Sequence, residues 1–202
     1  MCEIFFTTPP LNDKLSIITA FIQCGEIMNK GLIHIYCGDG KGKTTASIGL
    51  TVRCVGRGGK VLFAQFLKER ETGEIAVLTT LPSVTVRRGK GTGKFTFQMT
   101  SLELAAAKKI QEETFDYICR ICRENPPDLL IMDEVIGACT TGLISENKLI
   151  HFLTSKPTQT EVVLTGRNPS QQLIDLADYV SEVKKIKHPF DKGIEARVGI
   201  EE

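Results

Sequence analysis

Apolar residues along this chain fall into short runs separated by glycine-rich or polar breaks, and the runs alternate with stretches of helical period. "LIHIYC" (32–37), "KVLFAQF" (60–66), "SVTVRRG" (83–89), "DLLIMDE" (128–134), "TEVVLTG" (160–166) and "YVSEVKKIKH" (179–188) read as strands. Between them, "TTASIGLTVRCVGRGG" (44–59) predicts a helix closed by Gly56 and Gly58. A longer helix starts at "TSLE", where Thr100 as N-cap and Glu103 three residues on form a capping box. Its apolar positions Ile110, Tyr117, Ile118, Ile121 and Cys122 keep helical spacing, and "NPP" (125–127) stops it. "SENKLIHFLTSK" (145–156) predicts a further helix, and "NPSQ" opens another with Asn168 as N-cap and Pro169 at the first position. Strand and helix in alternation imply an α/β fold with a mostly parallel sheet flanked by helices.

The first 28 residues do not follow this alternation. Their apolar run "LSIITAFIQCG" has about eleven residues, too few to span a bilayer. Glu3 and Asp13 precede it with only Lys14 for positive charge, which is not how a signal peptide starts. Residues 1–28 are read as a leader, non-native or dispensable, and 29–202 as a single domain without repeats. A length of 202 residues suits one domain with a proper core.

The formal net charge of +1 gives no electrostatic grip on nucleic acid or a membrane surface, so any anion site must be local. Seven cysteines, scattered at 2, 24, 37, 54, 119, 122 and 139, make a poor disulfide framework and fit a reducing cytoplasm. Cys119 and Cys122 form a C-x-x-C, but no second pair or nearby histidine completes the four ligands zinc needs. A structural role on the helical core face is the expectation. His34, His151 and His188 show neither triad nor metal spacing, and His34 is expected to be structural.

The informative stretch is "YCGDGKGKTT" (36–45). A Walker A motif, G-x-x-x-x-G-K-[ST], would place glycine at 37, where this chain has cysteine; the upstream glycine arrives one residue late, at Gly38. A strand running into glycines and then Lys-Thr-Thr at a helix start is still the context of a phosphate loop. Amides of Gly40, Lys41, Gly42 and Lys43 are expected to converge on phosphate, helped by the positive end of the helix. Lys43 would neutralise phosphate, Thr44 would ligate Mg²⁺, and Lys41 adds charge. The strand "DLLIMDE" delivers Asp133 or Glu134 to the same sheet edge, as a Walker B strand does. Arg167, after "LTG", belongs to that edge, where it either stabilises phosphate charge or serves as a helix cap or surface residue. "VRRGKGTGKFTF" (86–97) is either a cation-rich ligand segment or a solvated loop carrying two core phenylalanines. Neither a serine or cysteine nucleophile nor a well-supported general base emerges. That pattern suits ATP as electrophile with a nucleophile brought by another molecule. An ordinary P-loop phosphotransferase or ATPase and a non-catalytic nucleotide sensor fit the same residues.

"GDGKGKTTASIGLTVRCVGRGGKVLFAQFLK", "DLLIMDEV", "VVLTGRNPSQQLIDLADYVSEV" and "VKKIKHPFDKGIEARVGIE" together resemble the ATP:corrinoid adenosyltransferases of the BtuR/CobO/CobP type. The resemblance runs in order from about Gly31 to the C-terminus. It implies a P-loop NTPase-like fold and a modified loop that holds ATP reversed, so that C5′ of the ribose is attacked by a Co(I) corrinoid and inorganic triphosphate leaves. It implies an ATP-binding cradle of Gly38, Asp39, Gly40, Lys41, Gly42, Lys43, Thr44 and Thr45 with Arg167. Lys41 and Lys43 then act on the departing triphosphate, with Mg²⁺ or Mn²⁺ held by Thr44, Glu134 and Asp133. Phe95 and Phe97 match aromatics that help remove the corrinoid's lower axial ligand, although Phe97 stands where the family pattern has tryptophan and Lys94 precedes Phe95. The resemblance further implies a cytoplasmic homodimer and an electron-donating reductase or flavoprotein.

Overall fold

The computed structural model describes residues 30–67, 72–89 and 98–200. The leader, the aromatic pair Phe95 and Phe97, and most of the basic segment around them lie outside these residues. Six strands form one sheet: β1 (Ile33–Cys37), β2 (Val61–Gln65), β3 (Val84–Arg88), β4 (Leu129–Asp133), β5 (Glu161–Thr165) and β6 (Tyr179–Glu182), in the order β3-β2-β4-β5-β1-β6. All five pairings are parallel. Among the described residues six α-helices connect the strands: α1 (Lys43–Val55), α2 (Gly73–Leu78), α3 (Ser101–Glu124), α4 (Val135–Thr140), α5 (Glu146–Ser155) and α6 (Gln171–Leu176). A 3₁₀ turn, Pro189–Lys192, follows β6.

The continuous apolar runs are explained by burial on both faces. On one face Ile35, Leu62, Ala64, Leu130, Met132, Val162 and Leu164 pack with Phe115, Ile118 and Cys122 of α3 and with Leu149, Phe152 and Leu153 of α5. On the other, Val61, Phe63, Leu129, Ile131 and Val163 pack with Ile48 and Cys54 of α1 and Leu78 of α2. Cys119 and Cys122 sit on the core-facing side of α3, and burial pushes the Cys122 thiol up to about 12. His34 is held within the sheet, its Nε2 2.5 Å from Glu161 Oε1 and its ring stacked on Tyr179. None of the described helices is long and apolar enough to cross a membrane.

The capping box at α3 forms as expected: the Glu103 amide donates to Thr100 Oγ1 at 3.3 Å and the Thr100 amide to Glu103 Oε2 at 2.9 Å. Three expectations differ. The short helices α2 and α4 were not read, because six residues are too few to display a helical period. The last strand ends at Glu182 rather than at 188, since its partner β1 ends at Cys37 and supplies no further ladder.

Third, α6 is capped by Ser170, whose Oγ accepts from the Leu173 amide at 3.3 Å, while Asn168 lies outside the helix at φ 50°. Ser170→Ala should therefore cost about 1 kcal/mol of stability, and Asn168→Gly almost nothing because glycine is at ease at positive φ. Urea unfolding of the two variants checks this. A larger loss for Asn168→Gly would restore the original cap.

Candidate functional site

Strand register builds the site. Gln65 pairs with Asp133 across β2 and β4, and Tyr36 with Thr165 across β1 and β5. Met132 pairs with Leu164, so the residues that follow, Asp133 and Thr165, come side by side. The carboxyl ends of four strands thus meet beneath the loop that leaves β1, the ligand edge of an open α/β sheet.

Asp133 is fully buried and is fixed by three donors. Its Oδ1 accepts from Thr44 Oγ1 at 2.9 Å and from Thr165 Oγ1 at 2.7 Å, and its Oδ2 from Gln65 Nε2 at 3.0 Å. The Glu134 amide donates to the same Thr165 hydroxyl at 2.9 Å. Glu134 takes φ 60°, a conformation rare outside glycine, at the junction of β4 and α4. The acid pair therefore divides. Asp133 faces inward as an anchor for Thr44, whereas Glu134 lines the cavity.

The loop from Gly38 to Gly42 has a backbone set by a distant segment. Gly38 turns at φ 104°, and a Cβ there would lie 2.5 Å from the Val183 carbonyl oxygen; one on Gly40 would lie 2.7 Å from the same atom. The Val183 amide donates to the Cys37 carbonyl, and the Gly40 amide donates to the Val183 carbonyl, both at 2.8 Å. Lys185 N–H donates to Asp39 Oδ1 at 3.0 Å, which holds that carboxyl below the usual carboxylate range. The expectation that all four loop amides point at phosphate is thereby corrected: the Gly40 amide serves the segment after β6. The residue at 37 closes the strand and lies before the turn, so a glycine there is not required by this geometry.

Lys43 at the start of α1 is only 7% exposed, and its Nζ donates to the Gly40 carbonyl at 2.8 Å. Burial pushes its ammonium down from the ordinary value, opposed chiefly by the charge of Glu134. Thr44 gives its hydroxyl hydrogen to Asp133, so its oxygen meets the cavity as an acceptor or ligand.

A cavity of about 560 Å³ opens over these groups, and Lys41, Lys43, Thr44, Glu134, Arg167 and His188 contribute to its wall. Of the sequence-predicted residues, Asp39, Gly40, Gly42 and Thr45 also line it, while Gly38 forms the turn behind. Sequence reasoning missed Gln65 and Thr165, the two β-strand residues that hold Asp133. Their signal was a polar residue closing an otherwise apolar run, in "VLFAQ" and "EVVLT". It also missed Glu74 at the start of α2 and His188.

Residues 29–201 match a family model described as ATP:corrinoid adenosyltransferase BtuR/CobO/CobP. A corrinoid adenosyltransferase of Escherichia coli K12 is 32% identical over 173 residues, covering 85% of this chain and 86% of that protein. One from a Sinorhizobium species is 34% identical over 194 residues, covering 89% and 84% respectively. The corrinoid adenosyltransferase CobA of Salmonella typhimurium LT2 is 32% identical over 173 residues, with 85% and 86% covered.

Proposed function

The chain belongs to the ATP:corrinoid adenosyltransferase family BtuR/CobO/CobP, and from that premise we propose how its loop and acid pair serve the reaction. The protein is an enzyme that adenosylates corrinoids with ATP. The observation that carries the assignment to this cavity is the convergence of Lys43, Thr44, Glu134 and Arg167 over the strand ends. Such a set binds polyphosphate and leaves the chemistry to a nucleophile that arrives with the second substrate.

In this reading the loop holds the triphosphate of ATP, with C5′ of the ribose directed to the corrinoid. The Co(I) electron pair forms the cobalt–carbon bond, and the C5′–O5′ bond breaks with its own bonding pair leaving on the oxygen of the triphosphate. Lys43 and Lys41 face the charge that develops on the leaving group, and Arg167 extends the positive wall. Lys43 is suited to this because burial removes competing water, which strengthens its pull on an anion.

Thr44 and Glu134 offer a hydroxyl and a carboxylate oxygen, the hard donors that Mg²⁺ or Mn²⁺ takes alongside phosphate oxygens. Among the described residues no group of three or more His, Cys, Asp or Glu is placed to cage a metal, so phosphate and water would supply the remaining ligands. Bound there, the cation neutralises phosphate charge. Asp133 acts one step back, keeping the Thr44 hydroxyl turned the right way.

Phe95 and Phe97 are assigned to the corrinoid by the family pattern, a homodimer is the expected assembly, and a reductase or flavoprotein is the expected source of the Co(I) state. The test is anaerobic incubation of the pure protein with MgATP and chemically reduced cob(I)alamin. A light-sensitive adenosylated product and inorganic triphosphate should appear together. ADP and phosphate formed without corrinoid would instead place the chain among ordinary phosphotransferases.

A further inference from the structure

We propose that His188 is a binding residue for the polyphosphate of ATP, presenting an Nε2–H donor to the cavity from the segment that follows β6. The proposal rests on the cavity being the triphosphate site and adds a group that neither the loop nor the acid strand contains. From Lys184 to Ile200 every described side chain is exposed except that of His188. His188 is half-buried, and it lines both the main cavity, whose wall also includes Gly199 and Ile200 of this segment, and an adjoining recess of about 340 Å³ shared with Asp39, Arg167, Lys185, Phe190 and Asp191.

Its ring is oriented by its own backbone. The Phe190 amide donates to His188 Nδ1 at 3.2 Å, and Pro189 opens the 3₁₀ turn immediately after it. A neutral imidazole that accepts at Nδ1 carries its proton on Nε2, so the second nitrogen is a donor. The turn itself is tied down. The Asp191 amide donates to the His188 carbonyl at 3.1 Å, Lys185 Nζ lies 3.0 Å from Asp191 Oδ1, and the Lys185 amide holds Asp39 in the loop. His188 is therefore carried on a segment registered against the phosphate loop. The same cavity is lined by the cations Lys41, Lys43 and Arg167 and by the acids Asp39, Glu74 and Glu134, a set suited to a polyanion that arrives with a metal ion. An imidazole N–H there adds a directed hydrogen bond without further crowding of positive charge.

Two substitutions separate donor from cap. His188→Asn keeps an acceptor where Nδ1 accepts from Phe190, and loses the distal donor. His188→Gln carries an amide N–H out to the distance of Nε2, and loses the cap. Equilibrium binding of inorganic triphosphate with Mg²⁺, and separately of MgATP, is measured on the full chain without corrinoid, with thermal unfolding as a check on the fold. The expected result is that His188→Asn weakens both ligands by roughly tenfold to a hundredfold, while His188→Gln recovers most of the loss. Wild-type affinity in His188→Asn would reduce the histidine to a turn cap and overturn the proposal. A loss for MgATP alone would also overturn it, by moving the contact to the nucleoside. If the wild-type chain itself fails to bind inorganic triphosphate, the reading of the cavity falls first, a failure separate from any seen only in the variants.

Discussion

Lys43→Ala should lower kcat/KM for adenosyl transfer by roughly a hundredfold to a thousandfold, the usual cost of removing one preorganised group that meets developing negative charge. The reasoning is geometric. Lys43 is 7% exposed and donates to the Gly40 carbonyl, so its ammonium is already placed in the loop before any ligand arrives. Little reorganisation is left for the moment of reaction. Lys41 also lines the cavity but is exposed, so its charge is screened by water and cannot replace a buried one. Steady-state kinetics at saturating MgATP, together with inorganic triphosphate binding, measure the effect. The rate and the affinity should fall together, because the group serves both the bound and the departing triphosphate. A wild-type rate at saturating ATP would remove Lys43 from the mechanism and leave it a structural residue of the loop.

Gly40→Ala should weaken MgATP binding at least tenfold and cost about 1–3 kcal/mol of stability, because the obstacle is backbone. A Cβ at 40 would stand 2.7 Å from the Val183 carbonyl oxygen and 2.8 Å from the Lys184 carbonyl carbon. The two segments cannot both keep their places, so the bond from the Gly40 amide to Val183 is lost and the 183–188 segment shifts. Limited proteolysis should then cut the tail sooner than in the parent. Gly49, within α1 and with open space about it, is the control: Gly49→Ala should stabilise by about 0.5–1 kcal/mol through its effect on helix propensity and the unfolded chain. Equal behaviour of the two alanine variants would sink the clamp between the loop and the tail.

Much of the site was legible from local pattern because its parts are short and self-contained. "GDGKGKTT" encodes a strand end, a turn and a helix start within eight residues, and Lys43 and Thr44 can be placed from that alone. "DLLIMDE" announces an apolar strand with acids at its carboxyl end. What the pattern left open was which acid faces the cavity. Both readings are compatible with alternation along a strand. The choice is made by Thr165 and Gln65, which take Asp133 into the interior, and by the left-handed turn at Glu134, which releases the second acid into the cavity.

The reason for the glycines at 38 and 40 was legible only in part. Their freedom of backbone could be read, but not the neighbour that demands it. That neighbour, the segment at 183–185, bonds to Asp39 across a sequence separation of 146 residues. Nothing in the composition of "VKK" signals such a contact. The tail "KHPFDKGIEARVGIEE" likewise mixes apolar and charged residues without a period, so nothing in its pattern places His188 against the cavity.

Period and punctuation were enough for the alternating architecture, the six strands, the capping box of α3 and the glycine loop between β1 and α1, since each rests on residues within a few positions of one another. Strand order, the inward turn of Asp133, the clamp on the loop and the placement of His188 arose from packing. Parallel strands are joined by long crossovers, so residues that share the ligand edge are far apart in the chain, and only the register of the folded sheet brings them together.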